Sequence, residues 1–107
     1  MPQPGFERVA SLSDVPPGEM LPVEAQGESI LLANVEGQLF AVSETCTHEE
    51  GPLSEGYLED HEVECPWHGA TFDLQTGEVT GPPAMENLAS YEVEVEGDDI
   101  YVGPQSK

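Results

Sequence analysis

Residues 45–69 carry the most informative motif of the chain and read TCTHEEGPLSEGYLEDHEVECPWHG. It holds both cysteines of the chain, and each is followed closely by a histidine, in Cys46-Thr47-His48 and in Cys65-Pro66-Trp67-His68. Sixteen residues separate the two pairs. Two loops therefore each offer one thiolate and one imidazole, and these four side chains are candidate ligands of one metal centre.

Thiolates combined with imidazoles suit either zinc or an iron–sulfur centre. Zinc fingers usually carry two cysteines on one turn and two histidines on a helix, whereas each loop here mixes the two ligand types. In a two-iron, two-sulfur cluster with two cysteines on one iron and two histidines on the other, each of two similar loops can supply one ligand of each type. The pattern favours this cluster, while structural zinc and a buried cysteine pair with core histidines stay open as alternatives.

The pattern resembles the Rieske family, whose signature is C-x-H, an intervening stretch of this length and C-x-x-H. The resemblance implies that Cys46 and Cys65 bind one iron of a single 2Fe-2S cluster and that His48 and His68 bind the other. It also implies that Gly81-Pro82-Pro83-Ala84 forms the proline-containing third loop that shields the cluster.

Other residues near the candidate ligands have structural roles that the sequence also predicts. Gly51 and Gly69 allow tight turns beside the ligands, and Pro66 stiffens the second loop. His61 lies in the acidic stretch Glu59-Asp60-His61-Glu62 without a cysteine nearby, so we expect a surface residue that is not a ligand.

The flanking sequence predicts short antiparallel strands. Glu36-Gly37 is a tight-turn signal between two apolar segments, and Tyr91, Val93 and Val95 alternate with glutamates. No window carries a clear helical period. The predicted strands are 6–10, Met20–Glu24, Ser29–Val35, Gln38–Ser43, a segment from Tyr91 and Ile100–Val102.

These elements predict an all-β protein, and the resemblance implies a Rieske-like antiparallel β-sandwich with a small cluster-binding subdomain made of two loops. At 107 residues the chain fits one domain. We expect a single Rieske domain over residues 1–107, with the cluster-binding subdomain at about 44–84 inserted in the β base.

The charge is extreme, because 22 acidic residues face only Arg8 and Lys107, for a formal net charge of -20. Nucleic acid and anionic membranes are therefore excluded as expected partners, since phosphate binding needs Lys and Arg. No apolar run is long enough to span a membrane, and the N-terminus lacks a signal-peptide pattern. We expect a soluble, cytoplasmic monomer. Its acidic surface suits a basic partner protein, and the alternative is that the acids only keep the protein soluble and monomeric.

Departures from the high-potential branch of the Rieske family indicate a low potential. Gly51 and Trp67 stand where that branch has two further cysteines that form a disulfide, and Ala70 and Phe72 stand where it has a serine and a tyrosine that donate hydrogen bonds. Losing donors to the sulfurs destabilises the reduced state. The acids Glu49-Glu50 act in the same direction. We expect a potential of about -150 mV, the low end of the Rieske range.

The resemblance is strongest to the ferredoxin component of a bacterial aromatic-ring-hydroxylating dioxygenase system. Such a protein passes single electrons from a flavin-dependent ferredoxin reductase to a terminal oxygenase and is not itself an enzyme. The resemblance implies that His48 and His68 lie at the contact surface, with Trp67 either a part of that surface or a capping apolar residue. The alternative is the small Rieske-like subunit of an assimilatory nitrite reductase, although many such subunits lack some of the four ligands.

Overall fold

The computed structural model describes residues 4–44, 53–66, 69–81 and 87–105. Within these ranges the regular secondary structure consists of strands, apart from single 3-10 turns at Leu12–Asp14 and Leu53–Glu55. The strands are β1 (Glu7–Ser11), β2 (Met20–Ala25), β3 (Glu28–Val35), β4 (Gln38–Ser43), β5 (Tyr57–Glu59), β6 (Glu62–Glu64), β7 (Thr71–Asp73), β8 (Val79–Gly81), β9 (Ser90–Glu96) and β10 (Asp99–Gln105). The predicted all-β class is confirmed. No helix in the described ranges has the length and apolar character needed to cross a membrane.

The larger sheet is antiparallel and has six strands in the order β1-β10-β9-β4-β3-β2. Its two edges approach each other next to β2. The backbone N–H of Gln26 donates to Glu7 Oε1 at 2.7 Å, and the Gln26 side-chain amide donates to the carbonyl of Gly5 at 2.6 Å. These bonds link the segments next to β2 and β1, so the sheet curls around its own apolar interior.

The hairpin of β3 and β4 follows the predicted bounds closely. β4 spans Gln38–Ser43 as expected, and β3 begins one residue earlier than expected. Glu36 and Gly37 connect the strands with φ of 54° and 95°. Two positive φ angles in a two-residue loop give the turn whose twist matches that of the flanking strands, so the turn prediction is confirmed.

Strand β3 separates two apolar clusters. Ile30 and Leu32 face the inner cluster, within the curled sheet, while Leu31 and Ala33 face the inter-sheet cluster, between the two sheets. The apolar run over residues 30–33 is typical of a strand that is buried on both faces. The inner cluster contains Ala10, Val15, Ala25, Ile30, Leu32, Ala41, Ile100 and Val102, and the inter-sheet cluster contains Leu31, Ala33, Val35, Val42, Leu53, Val63, Cys65, Ala70, Phe72, Leu74 and Leu88.

One polar side chain is buried in β3. The Asn34 amide donates to the carbonyl of Val15 at 2.7 Å, and its Oδ1 accepts from the N–H of Gly37 at 2.7 Å. Asn34 therefore ties the β3–β4 turn to the segment before β2. An amide side chain suits this position, because one partner is a backbone acceptor, the Val15 carbonyl, and the other is a backbone donor, the Gly37 N–H.

We expect Asn34→Ala to lower the free energy of unfolding by about 2 kcal/mol, since it leaves two backbone groups without their partner. For a domain of this size that corresponds to a fall in Tm of roughly 8 °C. Asn87→Ala is the control, because the bond that Asn87 accepts from Val79 is exposed. Calorimetry that gives equal losses for the two variants would contradict this account.

The C-terminal hairpin is longer than predicted, because β10 extends to Gln105. Tyr91 and Val93 pack against the inner cluster, as the alternation predicted. Val95, however, is 41% exposed. Its partner in register on β10 is the buried Ile100, but β9 pairs with β4 at Ser90 and Tyr91, at the other end of the strand. Val95 therefore lies beyond the pairing with β4, and the buried part of the predicted apolar face ends at Val93.

The smaller sheet lies in the region for which the sequence predicted loops. Its strands are antiparallel, have three residues each and follow the order β5-β6-β7-β8. Their register places one apolar residue of each strand in a row, Leu58, Val63, Phe72 and Val79. This row packs on the inter-sheet cluster, so the smaller sheet shares its core with β3 and β4.

Candidate metal centre

Of the four predicted ligands, Cys65 falls within the described ranges. Cys46, His48 and His68 lie outside the described residues, as do Gly51, Trp67 and the 82–84 part of the predicted third loop. No group of three or more His, Cys, Asp or Glu side chains in the described part of the chain is arranged to hold a metal ion. The structure therefore informs the site through Cys65 and through the segments that flank the other ligands.

Cys65 begins the second ligand loop, residues 65–70, which connects β6 to β7. Its N–H donates to the carbonyl of Ala70 at 2.7 Å, and the N–H of Gly69 donates to the carbonyl of Cys65 at 3.2 Å. Gly69 has a φ of 77°, a conformation that glycine adopts without strain. The tight turn expected at Gly69 is confirmed, and the bonds fix both ends of the segment that contains His68.

The first ligand loop, residues 45–52, has its ends fixed by Glu44. The carbonyl of Glu44 accepts from the N–H of Leu53 at 2.8 Å. Its carboxylate accepts from the Ser54 N–H at 3.0 Å and from the Ser54 hydroxyl at 2.6 Å. Burial raises the pKa of the Glu44 carboxyl, and the hydrogen bonds from Ser54 oppose that rise. The segment that carries Cys46 and His48 therefore starts and ends at one hydrogen-bonded point.

Gly56 places the end of the first loop against the start of the second. A Cβ atom at Gly56 would overlap the carbonyl oxygen of Glu64 and lie 3.1 Å from Cδ of Pro66. These two residues flank Cys65 directly. The chain that leaves the first ligand loop thus contacts the backbone that carries the first ligand of the second loop.

The surroundings of Cys65 are apolar. Its side chain is almost completely buried and belongs to the inter-sheet cluster together with Ala70 and Phe72, which have no exposed surface. Neither of these two side chains carries a hydroxyl, so neither side chain can donate a hydrogen bond to a sulfur atom. Apolar side chains next to the thiol disfavour added negative charge, which is the physical reason for expecting a low potential.

His61 lies at the other end of β6 from Cys65. The intervening strand has three residues, so the two Cα atoms are roughly 13 Å apart. His61 is exposed, and its ring meets the Phe40 ring edge-on at a centroid distance of 5.7 Å. The expectation of a surface residue is confirmed.

Sequence reasoning did not single out Glu44, Ser54 or Gly56. The residues it did single out, two cysteines and two histidines, have the donor chemistry of a cluster with two thiolate and two imidazole ligands. The buried Cys65 thiol and the hydrogen-bonded turn behind it fit such a group, because the packing around the thiol keeps water from it.

Comparison with known proteins identifies the family. The model of the Rieske [2Fe-2S] domain matches residues 6–92. The ferredoxin component of biphenyl 2,3-dioxygenase from Rhodococcus jostii strain RHA1 is 46% identical over 95 residues, which cover 89% of each chain. The ferredoxin in a solved complex of reduced oxygenase and oxidized ferredoxin of carbazole 1,9a-dioxygenase is 34% identical, with a TM-score of 0.89 and 98% of each chain covered.

The nitrite reductase alternative is less well supported. A protein solved as a candidate small subunit of an NADPH nitrite reductase has a TM-score of 0.80 and covers 91% of this chain and 96% of its own, but it is only 19% identical. That likeness shows the shared fold alone, whereas the dioxygenase ferredoxins match in sequence along the chain. These findings also favour the iron–sulfur cluster over structural zinc. The chain belongs to the Rieske [2Fe-2S] domain family, as a ferredoxin-type one-electron carrier with a single Rieske cluster.

Proposed function

We propose that this protein carries single electrons from a flavin-dependent ferredoxin reductase to the terminal oxygenase of an aromatic-ring-hydroxylating dioxygenase system. The observation that carries the proposal is the 46% identity to a biphenyl dioxygenase ferredoxin component over 89% of both chains. The oxygenase as partner is supported by the related ferredoxin that was solved in complex with one. We further propose that the protein acts as a monomer in the cytoplasm.

The proposed ligands are Cys46 and Cys65 for one iron and His48 and His68 for the other. We propose that they lie in a cluster-binding part, at about 44–84, of a single Rieske domain. When bound, the cluster supplies a site that accepts and releases one electron. The chain itself buries the Cys65 sulfur in apolar packing and fixes the ends of both ligand loops through Glu44 and Gly69.

The function can be tested with the reductase and oxygenase of a biphenyl dioxygenase system. With NADH and catalytic amounts of reductase, the visible absorption of this protein should bleach, and subsequent mixing with oxidised oxygenase should restore it. A protein that stays oxidised with the reductase, or stays reduced when the oxygenase is added, would contradict the proposal. The biphenyl system is chosen because its ferredoxin component is 46% identical to this chain, so its reductase and oxygenase are suitable test partners.

The negative net charge of the chain predicts that electrostatic attraction guides its association with partner proteins. Within the described ranges, Arg8 is the one Lys or Arg residue. Its guanidinium donates a hydrogen bond to Asp99 Oδ1 at 2.9 Å. A surface of net charge -20 should attract a basic docking surface over a distance that salt shortens to about 10 Å at 0.1 M.

We therefore expect the second-order rate of electron transfer to fall about tenfold or more between low and high ionic strength, because steering is lost while the docked complex changes little. Stopped-flow measurement at several salt concentrations gives this rate. Replacing the salt by sucrose of matched viscosity is the control. A rate that is independent of salt would show that the acidic surface does not steer docking.

A further inference from the structure

We propose that Glu44, Ser54 and Gly56 form a brace that fixes the two ligand loops relative to each other, and that the brace sets the coordination geometry and the retention of the cluster. The inference rests on the proposed ligands Cys46, His48, Cys65 and His68. It assigns a positioning role to three residues that do not themselves bind iron.

The first half of the brace closes the first ligand loop. Glu44 is joined to β3, because its N–H donates to the carbonyl of Ser29 at 3.2 Å, and its own carbonyl accepts from Leu53. Both carboxylate oxygens are then used by Ser54, one by the N–H and one by the hydroxyl. Hydrogen bonds to an ionised acceptor are stronger than neutral ones, and partial burial of Glu44 protects them from water.

The second half of the brace joins this point to the second ligand loop. Leu53 begins a 3-10 turn, and the N–H of Gly56 donates to its carbonyl at 2.9 Å. The turn places Gly56 against the carbonyl of Glu64 and the ring of Pro66, where there is no space for a side chain. Leu53 and Cys65 are also both buried in the inter-sheet cluster. A continuous path of bonds and contacts therefore leads from Glu44 to the residues on either side of Cys65.

The need for such a path follows from the ligands. With the proposed ligands, each iron would take one ligand from each loop, so a shift of one loop against the other would change the coordination of both irons at once. Gly51 and Trp67 stand where the high-potential branch has its inter-loop disulfide, so these positions of the chain provide no covalent link between the loops. The non-covalent contacts of Glu44, Ser54 and Gly56 would supply that link.

The carboxylate half of the brace is tested with Glu44→Ala, Glu44→Gln and Ser54→Ala in the cluster-loaded protein. The readouts are the g-values and line widths of the electron resonance spectrum of the reduced cluster, and the half-life of iron release to a chelator. We expect Glu44→Ala to release iron at least tenfold faster with a shifted or broadened spectrum, and the other two variants to lie between it and the wild type. Ser54→Ala keeps the backbone donor and so remains informative if Glu44→Ala does not fold.

Glu24→Ala is the charge-matched control, because Glu24 is exposed on β2 and its removal changes the net charge equally. It should leave both readouts unchanged. A Glu44→Ala protein with the wild-type spectrum and release rate would overturn the brace, even if its Tm were lower. A wild-type protein without a Rieske spectrum would refute the ligand assignment itself, and the brace with it.

The glycine half is tested with Gly56→Ala against Gly103→Ala. A Cβ at Gly103 would overlap the Phe6 ring beside the larger sheet, so both variants introduce a steric clash, but only Gly56 contacts a ligand loop. We expect both to lower Tm and only Gly56→Ala to change the spectrum and speed iron release. Equal spectra for the two variants would overturn the positioning role of Gly56.

Discussion

Replacing Cys46, His48, Cys65 or His68 by alanine is expected to abolish the Rieske cluster, whereas His61→Ala should retain it. Each of the four proposed ligands would supply one of two protein bonds to its iron, so its removal would open the coordination sphere to water. Iron and acid-labile sulfide should fall to near zero per chain in the four ligand variants. The visible absorption and the electron resonance signal should vanish together with the metal.

His61 makes this test specific for position and not only for residue type. It is exposed at the far end of β6 from Cys65, so its loss should remove an edge contact with Phe40 and nothing from the cluster. A ligand variant that keeps full iron and an unaltered spectrum would refute that ligand. A loss of iron in His61→Ala would bring the third histidine into the site. Zinc in the colourless wild-type protein would instead support the zinc alternative.

The parts of the fold that could be predicted from sequence are those with a local signal. β4 and the turn at Glu36-Gly37 follow from two apolar segments joined by residues that accept positive φ, and all of this information lies within a few positions of the chain. β3 follows from a continuous apolar run. The identity of the segments that cover each face of β3 could not be predicted, because those segments are distant from β3 in the sequence.

The smaller sheet could not be predicted for a related reason. Its strands show the expected alternation, as in Glu62-Val63-Glu64, but three residues are too few to distinguish a strand from a loop. The apolar row from Leu58 to Val79 becomes visible only when the four strands are placed in register. Non-local pairing therefore supplies what the periodicity lacks.

The candidate site likewise has residues that the sequence indicates and residues that only the structure reveals. The four ligands stand out because Cys and His are rare in this chain and recur in two similar motifs. Glu44 is one of 22 acidic residues, and nothing in its immediate neighbours sets it apart. Only its pairing with Ser54, ten positions away, distinguishes it. Gly56 resembles any turn glycine until Glu64 and Pro66 are found beside it.

Restoring hydroxyl groups at Ala70 and Phe72 is expected to raise the midpoint potential. Both residues are fully buried with Cys65 in the inter-sheet cluster, and the resemblance to the high-potential branch places hydroxyl donors at these positions. A donor to a cluster or cysteinyl sulfur stabilises the reduced state, which carries more negative charge. A bond worth about 1.4 kcal/mol would raise a one-electron potential by roughly 60 mV.

A redox titration followed by electron resonance measures the shift in Ala70→Ser, Phe72→Tyr and the double variant. The wild type should lie near -150 mV, the low end of the Rieske range, and a value above zero would contradict the low-potential assignment. Phe6→Tyr is the control, because its ring lies against Gly103 in the larger sheet and its hydroxyl should leave the potential unchanged. A buried hydroxyl without a partner costs stability, so a Phe72→Tyr protein with lower Tm and an unshifted potential would show that its oxygen does not reach a sulfur.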